Sequence, residues 1–308
     1  MYKTLAPDCI GHRVGLEESA PLAEKYGFKG IWFNIEREAR IPVEKTKEIL
    51  NKHHLKAAGF GLPVEYRKDE ETFRKDMEKL EEYAAYARDC GMHRCITWII
   101  PASDELTYEE NFNLHRERLG EAARILKKYG ISLGLEFLGP PKLREGKKYE
   151  FIHTLDQMLD LCRAIGTGNM GILMDVWHWD MAGQTFEDFA KFPDESWVVC
   201  AHIMDAPAGI PREEQVDVIR ALPGSTGILR IDEFFEGLKN MGYTGPVLAE
   251  PFVEELGKMK FEEAVAGGGG AGNKNSNWKL WLPGVRQSIK SGRKRHKEEE
   301  DEIISSWK

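Results

Sequence analysis

The chain has no pair of cysteines placed for a disulfide framework. Its five cysteines, Cys9, Cys90, Cys95, Cys162 and Cys200, are scattered, with no C-x-x-C spacing among them. An odd, dispersed set reads as buried thiols of a reducing compartment. Long apolar runs are missing as well, and nothing approaches the roughly 18 residues that a membrane span requires. The opening stretch MYKTLAPDCIGHR lacks the apolar core of a secretory signal. These absences set the expectation of a cytoplasmic protein with no membrane partner. Positive charge is not in excess either. The net charge is −8, and a phosphate backbone needs a basic face, so no nucleic-acid partner is expected. A glycine-rich phosphate turn is also lacking after the first apolar run, where DCIGHRVG matches the dinucleotide fingerprint poorly. That counts against an open doubly wound sheet.

What is present is an ordinary globular composition, 308 residues with 42% hydrophobic and 31% charged. Short apolar runs alternate with amphipathic stretches. Strands are expected at Thr4 to Ile10, at KGIWFNI, LKAAGFGLP and HRCITWIIP, and then in runs ending at Glu136, Asp175, His202 and Glu250. Helices are expected over Glu17 to Tyr26 with Gly27 as the stop, after Pro42, over Asp69 to Cys90, over Tyr108 to Tyr129, after Thr154, at TFEDFAKF, and over Asp232 to Met241. Eight strand–helix alternations in about 250 residues match an α/β fold of the (β/α)8 TIM-barrel type. The near-continuous apolar strands suit parallel strands covered by helices. The barrel is expected over residues 1–265. Residues 266–308 open on AGGGGAGNKNSNWKLWLPG and run on to RKRHKEEEDE, so they read as a Gly-rich linker with an irregular, charged tail.

The functional signal lies in the last four strand ends. ISLGLEF, GILMDVWHWD, WVVCAHIMD and GPVLAEPF each carry one ligand-type residue where the apolar run stops. Glu136, Asp175, His202 and Glu250 share no local spacing, so only a fold can unite them. A barrel sets consecutive strand ends side by side. Three carboxylates and one imidazole make a hard, oxygen-rich site, which favours Mn2+ or Mg2+, with Co2+ or Zn2+ able to substitute. Such an ion polarises a carbonyl and acidifies the adjacent C–H. Glu136 or Glu250 would then move the proton, with His178 as a rival base, because a metal-bound carboxylate is a weakened one. Isomerisation, epimerisation and elimination all follow from that one intermediate.

This ordered set of motifs, LGLEFLG, ILMDVWHW, CAHIMD and LAEPF, resembles the sugar isomerase and epimerase superfamily with the xylose-isomerase-like barrel. That group includes ketose 3-epimerases, hydroxypyruvate isomerase and inosose dehydratase, with endonuclease IV more distant. The resemblance covers about residues 1 to 265. It implies one divalent metal on Glu136, Asp175, His202 and Glu250, glutamates that double as proton-transfer groups, and a substrate hydrogen bond from His178. The 3-epimerases place an arginine shortly after the histidine ligand. Here position 208 is Ala208 and the nearest candidate is Arg212. The loop DAPAGIPREEQVD…RALPGSTGI, with GPPKLREGKKYEFIHT, is similar to the barrel subunit of the C-glycoside deglycosidases, which work on 3-oxo glycosides with a small β-sandwich partner. The expected partners are therefore a small-molecule sugar or glycoside and a possible homo-oligomer or small hetero-subunit. An endonuclease IV-like enzyme would carry more histidines and a basic groove than nine histidines in an acidic chain provide.

Further residues are expected to bind substrate. His12 follows strand one. Trp98 and Trp177 present ring faces suited to a sugar's C–H surface, against plain packing at the rim, and Trp179 has the same two readings. Asp205 either orients His202 or caps its loop. Asp180 turns the chain before Gly183. Lys142, Arg144, Lys147 and Lys148 read as a solvated loop more than a phosphate site. Cys200 reads as core, since a soft thiolate fits poorly among carboxylates.

Overall fold

Eight parallel strands follow one another around a closed ring, in chain order, and the last pairs with the first. They are β1 (Tyr2–Leu5), β2 (Gly30–Phe33), β3 (Lys56–Gly61), β4 (Arg94–Ile99), β5 (Ser132–Phe137), β6 (Met170–Asp175), β7 (Val198–Ile203) and β8 (Pro246–Ala249). Helices flank the ring, so the fold is a (β/α)8 barrel. This computed structural model describes residues 1–267; from residue 268 onward, the linker and tail reading of 266–308 lies outside the described residues.

Most element boundaries follow from local chemistry. The Asp69 and Thr154 side chains accept from the third backbone N–H of the helices Glu70–Asp89 and Leu155–Ile165. Thr107 and Glu110 form a reciprocal capping box at the head of Tyr108–Lys128. Pro42 precedes the helix Val43–Lys52. The expected TFEDFAKF helix is a 3-10 turn over Phe186–Lys191, preceded by the α-helix Val176–Met181.

The second strand, expected to run to Ile35, ends at Phe33, because Asn34 caps a short helix from Ile35, and the first strand differs more. The first strand stops at Leu5 instead of running to Ile10, and Asp8–Ile10 forms a 3-10 turn closed by Gly11 at φ 80°. Pro7 has no N–H for the ladder and its ring fixes φ, so the apolar letters beyond it cannot extend the strand. The turn brings Cys9 back over the barrel mouth, where its thiol meets Glu250 Oε1 at 3.7 Å.

Two apolar layers hold the ring. The larger packs helices against the outer strand faces and includes Phe73, Leu80, Leu119, Leu126, Leu159 and Phe234. A smaller one fills the barrel interior with Ala6, Ile96, Leu173, Val199, Cys200 and Leu248. Cys200 is therefore core. The interior is tight. A methyl group on Gly134 would lie 2.8 Å from Val199 Cβ, so only glycine fits there. The plug leaves chemistry to the C-terminal rim, where the strands release their polar residues. Among the described residues no helix is long and apolar enough to cross a membrane.

Candidate metal centre

Four consecutive strands deliver the four ligand-type residues. Glu136 is the penultimate residue of β5, Asp175 the last of β6 and His202 the penultimate of β7, and Glu250 follows β8 directly. Register fixes their heights. Asp175 pairs with His202, His202 pairs with Leu248, and the Glu250 N–H donates to Ile203 O at 3.1 Å. The donor atoms of Asp175, His202 and Glu250 lie within 4.8 Å of one another, as do those of Glu136, Asp175 and His178. His202 Nδ1 is 3.3 Å from Glu250 Oε2 and 3.8 Å from Asp175 Oδ2. Glu136, Asp175 and His202 are buried, and Glu250 is mostly so.

Such a density of buried carboxylates is costly without a cation. Burial, then the negative charges of Asp175 and Glu250, hold the Glu136 carboxyl well above the usual range. Its Oε1 is buried and has no hydrogen-bond partner, and His202 Nε2 is in the same position. Burial disfavours the charged form of His202, but the adjacent Glu250 outweighs it and raises the imidazole's pKa well above the ordinary value. At Glu250 burial is again overcome, by His202 and Arg220, and the carboxyl falls to about 2. An orphaned carboxylate oxygen beside two more carboxylates and an imidazole fits a hard divalent ion.

Sequence reasoning missed Arg220. Its Nη1 lies 3.2 Å from Asp175 Oδ2 and 3.1 Å from Glu250 Oε2, and its Nη2 donates to Asp217 Oδ1 at 2.7 Å. The guanidinium lies between the rings of Trp177 and Phe252, 5.5 and 4.6 Å from their centroids. The available signal was an Asp217–Arg220 pair inside the otherwise apolar VDVIRAL. Arg212, the candidate taken from sequence, goes elsewhere. Its guanidinium is bound by the main-chain and side-chain oxygens of Asp180, which also pairs with Arg230. No hydrogen bond or ion pair joins Arg212 to the four mouth residues. The reason is Asp205. Its carboxylate accepts the N–H groups of Ala206, Thr226, Gly227, Ile228 and Leu229, and this pins the loop so that position 220 points inward. Of the two readings of Asp205, it caps the loop.

His178 has both ring nitrogens engaged. Nδ1 lies 3.3 Å from the Gly139 N–H, and Nε2 lies 3.1 Å from the donating Arg220 Nη2 and 3.5 Å from Asp217 Oδ1. Burial lowers its pKa against the pull of Asp217 and Asp175. Trp98 sits beside Glu136 in register, with the Arg67 guanidinium 4.0 Å over its ring. Trp177 is fully buried beneath Arg220. Trp179 packs on Phe189 and Phe234 and belongs to the core. His12 is half-buried, bonds Leu256 O at 2.8 Å and rests on Phe261. In the basic loop, Lys142 pairs with Glu145, Lys147 with Asp104, and Arg144 with the carbonyls of Gly139 and Pro140, so those charges serve the loop itself.

A closed parallel barrel with an acid-rich cluster at its C-terminal mouth carries its polar residues on the face where (β/α)8 barrels place their functional loops. Residues 20–269 match the family described as xylose isomerase-like TIM barrel, and the chain belongs to that family. The inosose isomerase of Bacillus velezensis (strain DSM 23117 / BGSC 10A6 / LMG 26770 / FZB42) is 24% identical over 261 residues, covering 81% of this chain and 88% of that one. Among solved structures, a xylose isomerase domain protein from Alicyclobacillus acidocaldarius subsp. acidocaldarius is 29% identical with a TM-score of 0.74, covering 82% of this chain and 89% of its own. The IOLI protein, solved with a binding zinc atom, aligns at a TM-score of 0.71 and 21% identity, over 86% of this chain and 94% of its own.

Proposed function

We propose that the chain is a metal-dependent isomerase or epimerase of a keto-sugar, with an inosose, the compound in the curated relative's name, as the first substrate to try. The observation that carries this reading is two overlapping clusters at the barrel mouth, Asp175 with His202 and Glu250 and Asp175 with Glu136 and His178, with a buried Glu136 oxygen left unpaired. These four would hold one divalent cation, with Mn2+ preferred by the oxygen-rich donor set. When bound, the cation withdraws electron density from a substrate carbonyl and makes the neighbouring C–H more acidic.

The chain's own residues do the rest. Glu136 and Glu250 stand at the two ends of a four-strand arc, so a carbon placed between them has a carboxylate on each side. One takes the proton from the carbon next to the carbonyl, and the C–H electron pair moves to form an enediolate. A proton returned to the other face of that carbon gives an epimer; returned to the former carbonyl carbon, with the adjacent hydroxyl's proton passing to the former carbonyl oxygen, it gives an isomer. His178, beside Arg220 and Asp217, serves as a hydrogen-bonding group for the substrate. Arg220 offers a buried positive charge to a developing oxyanion. The Trp98 ring, fixed under Arg67, flanks Glu136 as an apolar wall for the sugar face. Expulsion of the glycosidic substituent from the same intermediate, its carbon taking up a proton as the bond breaks, would make the enzyme a lyase on 3-oxo glycosides, the activity suggested by the loop from Asp205 to Ile228 and the stretch from Gly139 to Thr154.

The test is solvent deuterium uptake. Mn2+-loaded protein incubated in D2O with inososes, ketohexoses and 3-oxo glycosides should place deuterium at carbon in at least one of them. The double variant Glu136→Gln with Glu250→Gln should not. No uptake by the unaltered protein from any of the three classes would end this reading.

A further inference from the structure

The oxygens that a cation would need are already engaged by a charge of the chain's own. Asp175 Oδ1 accepts the N–H groups of Trp177 and His178 at 2.7 and 3.2 Å, so Oδ2 is the oxygen left for a metal. Arg220 Nη1 holds that same Oδ2 at 3.2 Å. It also holds Glu250 Oε2 at 3.1 Å, the oxygen that faces His202 Nδ1. The rest of the guanidinium is seated independently. Nε donates to Asp217 O at 2.8 Å, Nη2 donates to Asp217 Oδ1 at 2.7 Å, and the plane is enclosed by Trp177 and Phe252. Nη1 also reaches the Glu250 main-chain O at 3.5 Å, so it can give up the two carboxylate oxygens while the side chain keeps its place.

We propose that Arg220 is a built-in counter-cation that holds the Asp175 and Glu250 oxygens in the metal-free protein, yields them when a divalent ion arrives, and so sets the affinity of the site for metal. This rests on the metal-centre reading above. Two positive charges that share one pair of oxygens oppose each other, and the low dielectric of a buried site enlarges the effect. The coupling is reciprocal. An ion that takes the two oxygens releases the Nη1 N–H groups, which then face the mouth as donors for a substrate oxygen. Metal loading and substrate reception are thereby linked through one side chain. Arg220 also neutralises carboxylates that would otherwise repel, which supports the fold of the mouth whenever no ion is bound.

The experiment is a calorimetric Mn2+ titration of metal-stripped full-length protein, with circular dichroism to verify folding. The set is the unaltered chain, Arg220→Met, Arg220→Lys, and Arg212→Met as the control. Arg220→Met should bind Mn2+ about 10-fold tighter, inside the usual 5- to 150-fold range of such couplings. Arg220→Lys should fall between, and Arg212→Met should match the unaltered chain. Stripped Arg220→Met should melt below the unaltered protein and gain more on Mn2+ addition. If Arg220→Met does not fold, pairing it with Asp217→Asn removes the stranded carboxylate and the same titration applies. Equal or weaker Mn2+ binding by the folded Arg220 variants, with measurable binding by the unaltered chain, overturns the proposal alone. No Mn2+ bound by any protein in the set removes the metal centre and the proposal together.

Discussion

The main chains of Asp205 and Ala221 pair in both directions, Asp205 N to Ala221 O at 2.9 Å and Ala221 N to Asp205 O at 2.7 Å. His202 stands three residues before one partner and Arg220 immediately before the other. One short bridge therefore ties the proposed imidazole ligand to the arginine that shares Glu250 Oε2 with it. The Asp205 carboxylate completes the tie by accepting five backbone N–H groups of the same loop.

Asp205→Asn should show what that anchor contributes. The amide keeps one acceptor oxygen but turns an N–H2 toward the Thr226 and Gly227 donors. A loss of about 1–2 kcal/mol is expected for two hydrogen bonds lost at partly exposed N–H groups. It would be read as a lower denaturation midpoint at unchanged slope. Activity should fall further than stability explains, because Arg220 loses its register. A variant as stable and active as the unaltered chain would mean that the loop is held elsewhere.

Arg212 and Arg220 should separate cleanly in kinetics. Arg212 is a partly exposed partner of Asp180, so Arg212→Ala should cost under about 1 kcal/mol of stability and leave KM within about two-fold. Arg220→Gln removes a buried donor facing the reacting oxygens, and kcat should fall by about 100-fold or more. The reverse ranking would restore the sequence-based choice of Arg212.

The fold was legible because parallel strands covered on both faces are written as unbroken apolar runs, and because Asp69, Thr107 and Thr154 announce their helices by side-chain chemistry that acts within four residues. The strand-end placement of Glu136, Asp175, His202 and Glu250 was legible for the same reason: a carboxylate or imidazole that closes an apolar run stands out. The first strand was overextended, since apolar letters after Pro7 resemble a strand unless the missing N–H is given priority. Arg220 was not legible. Its position depends on Asp205 capturing Thr226 to Leu229, a long-range event with no local periodicity. Arg212 therefore looked equivalent until the loop was closed.

Glu136 and Asp175 should respond differently to removal. Asp175 has a second task, capping the helix Val176–Met181 through Trp177 and His178 N–H. Asp175→Ala should lose metal affinity and also about 1 kcal/mol from the missing cap. Glu136→Gln keeps the shape and has no cap to lose, so the loss should appear in metal affinity, by at least about 10-fold, with little change in helix content. Equal destabilisation by the two would assign Glu136 a structural role.

His115 sets an acid limit on stability. It is buried between Tyr66 and Phe151, its Nδ1 bonds Asn111 O at 2.8 Å, and its Nε2 has no partner. Burial pushes its pKa down to about 4, against the raising effect of the Asn111 carbonyl. A depressed histidine pKa means that the unfolded chain takes up the proton first. Stability is therefore whole above about pH 6.5 and falls as the pH drops toward 4, by up to about 3 kcal/mol. His115→Asn should flatten that limb in urea melts between pH 7 and 4, and an unchanged slope would place the acid sensitivity in other groups.

The most direct test of the whole account is an anomalous difference map from crystals of this chain grown with Mn2+ and measured near the manganese edge. The account predicts a single peak at the barrel mouth within bonding distance of Glu136, Asp175, His202 and Glu250, with Arg220 Nη1 drawn away from Asp175 and Glu250. No peak there at saturating Mn2+, or a peak held by other residues, would contradict it.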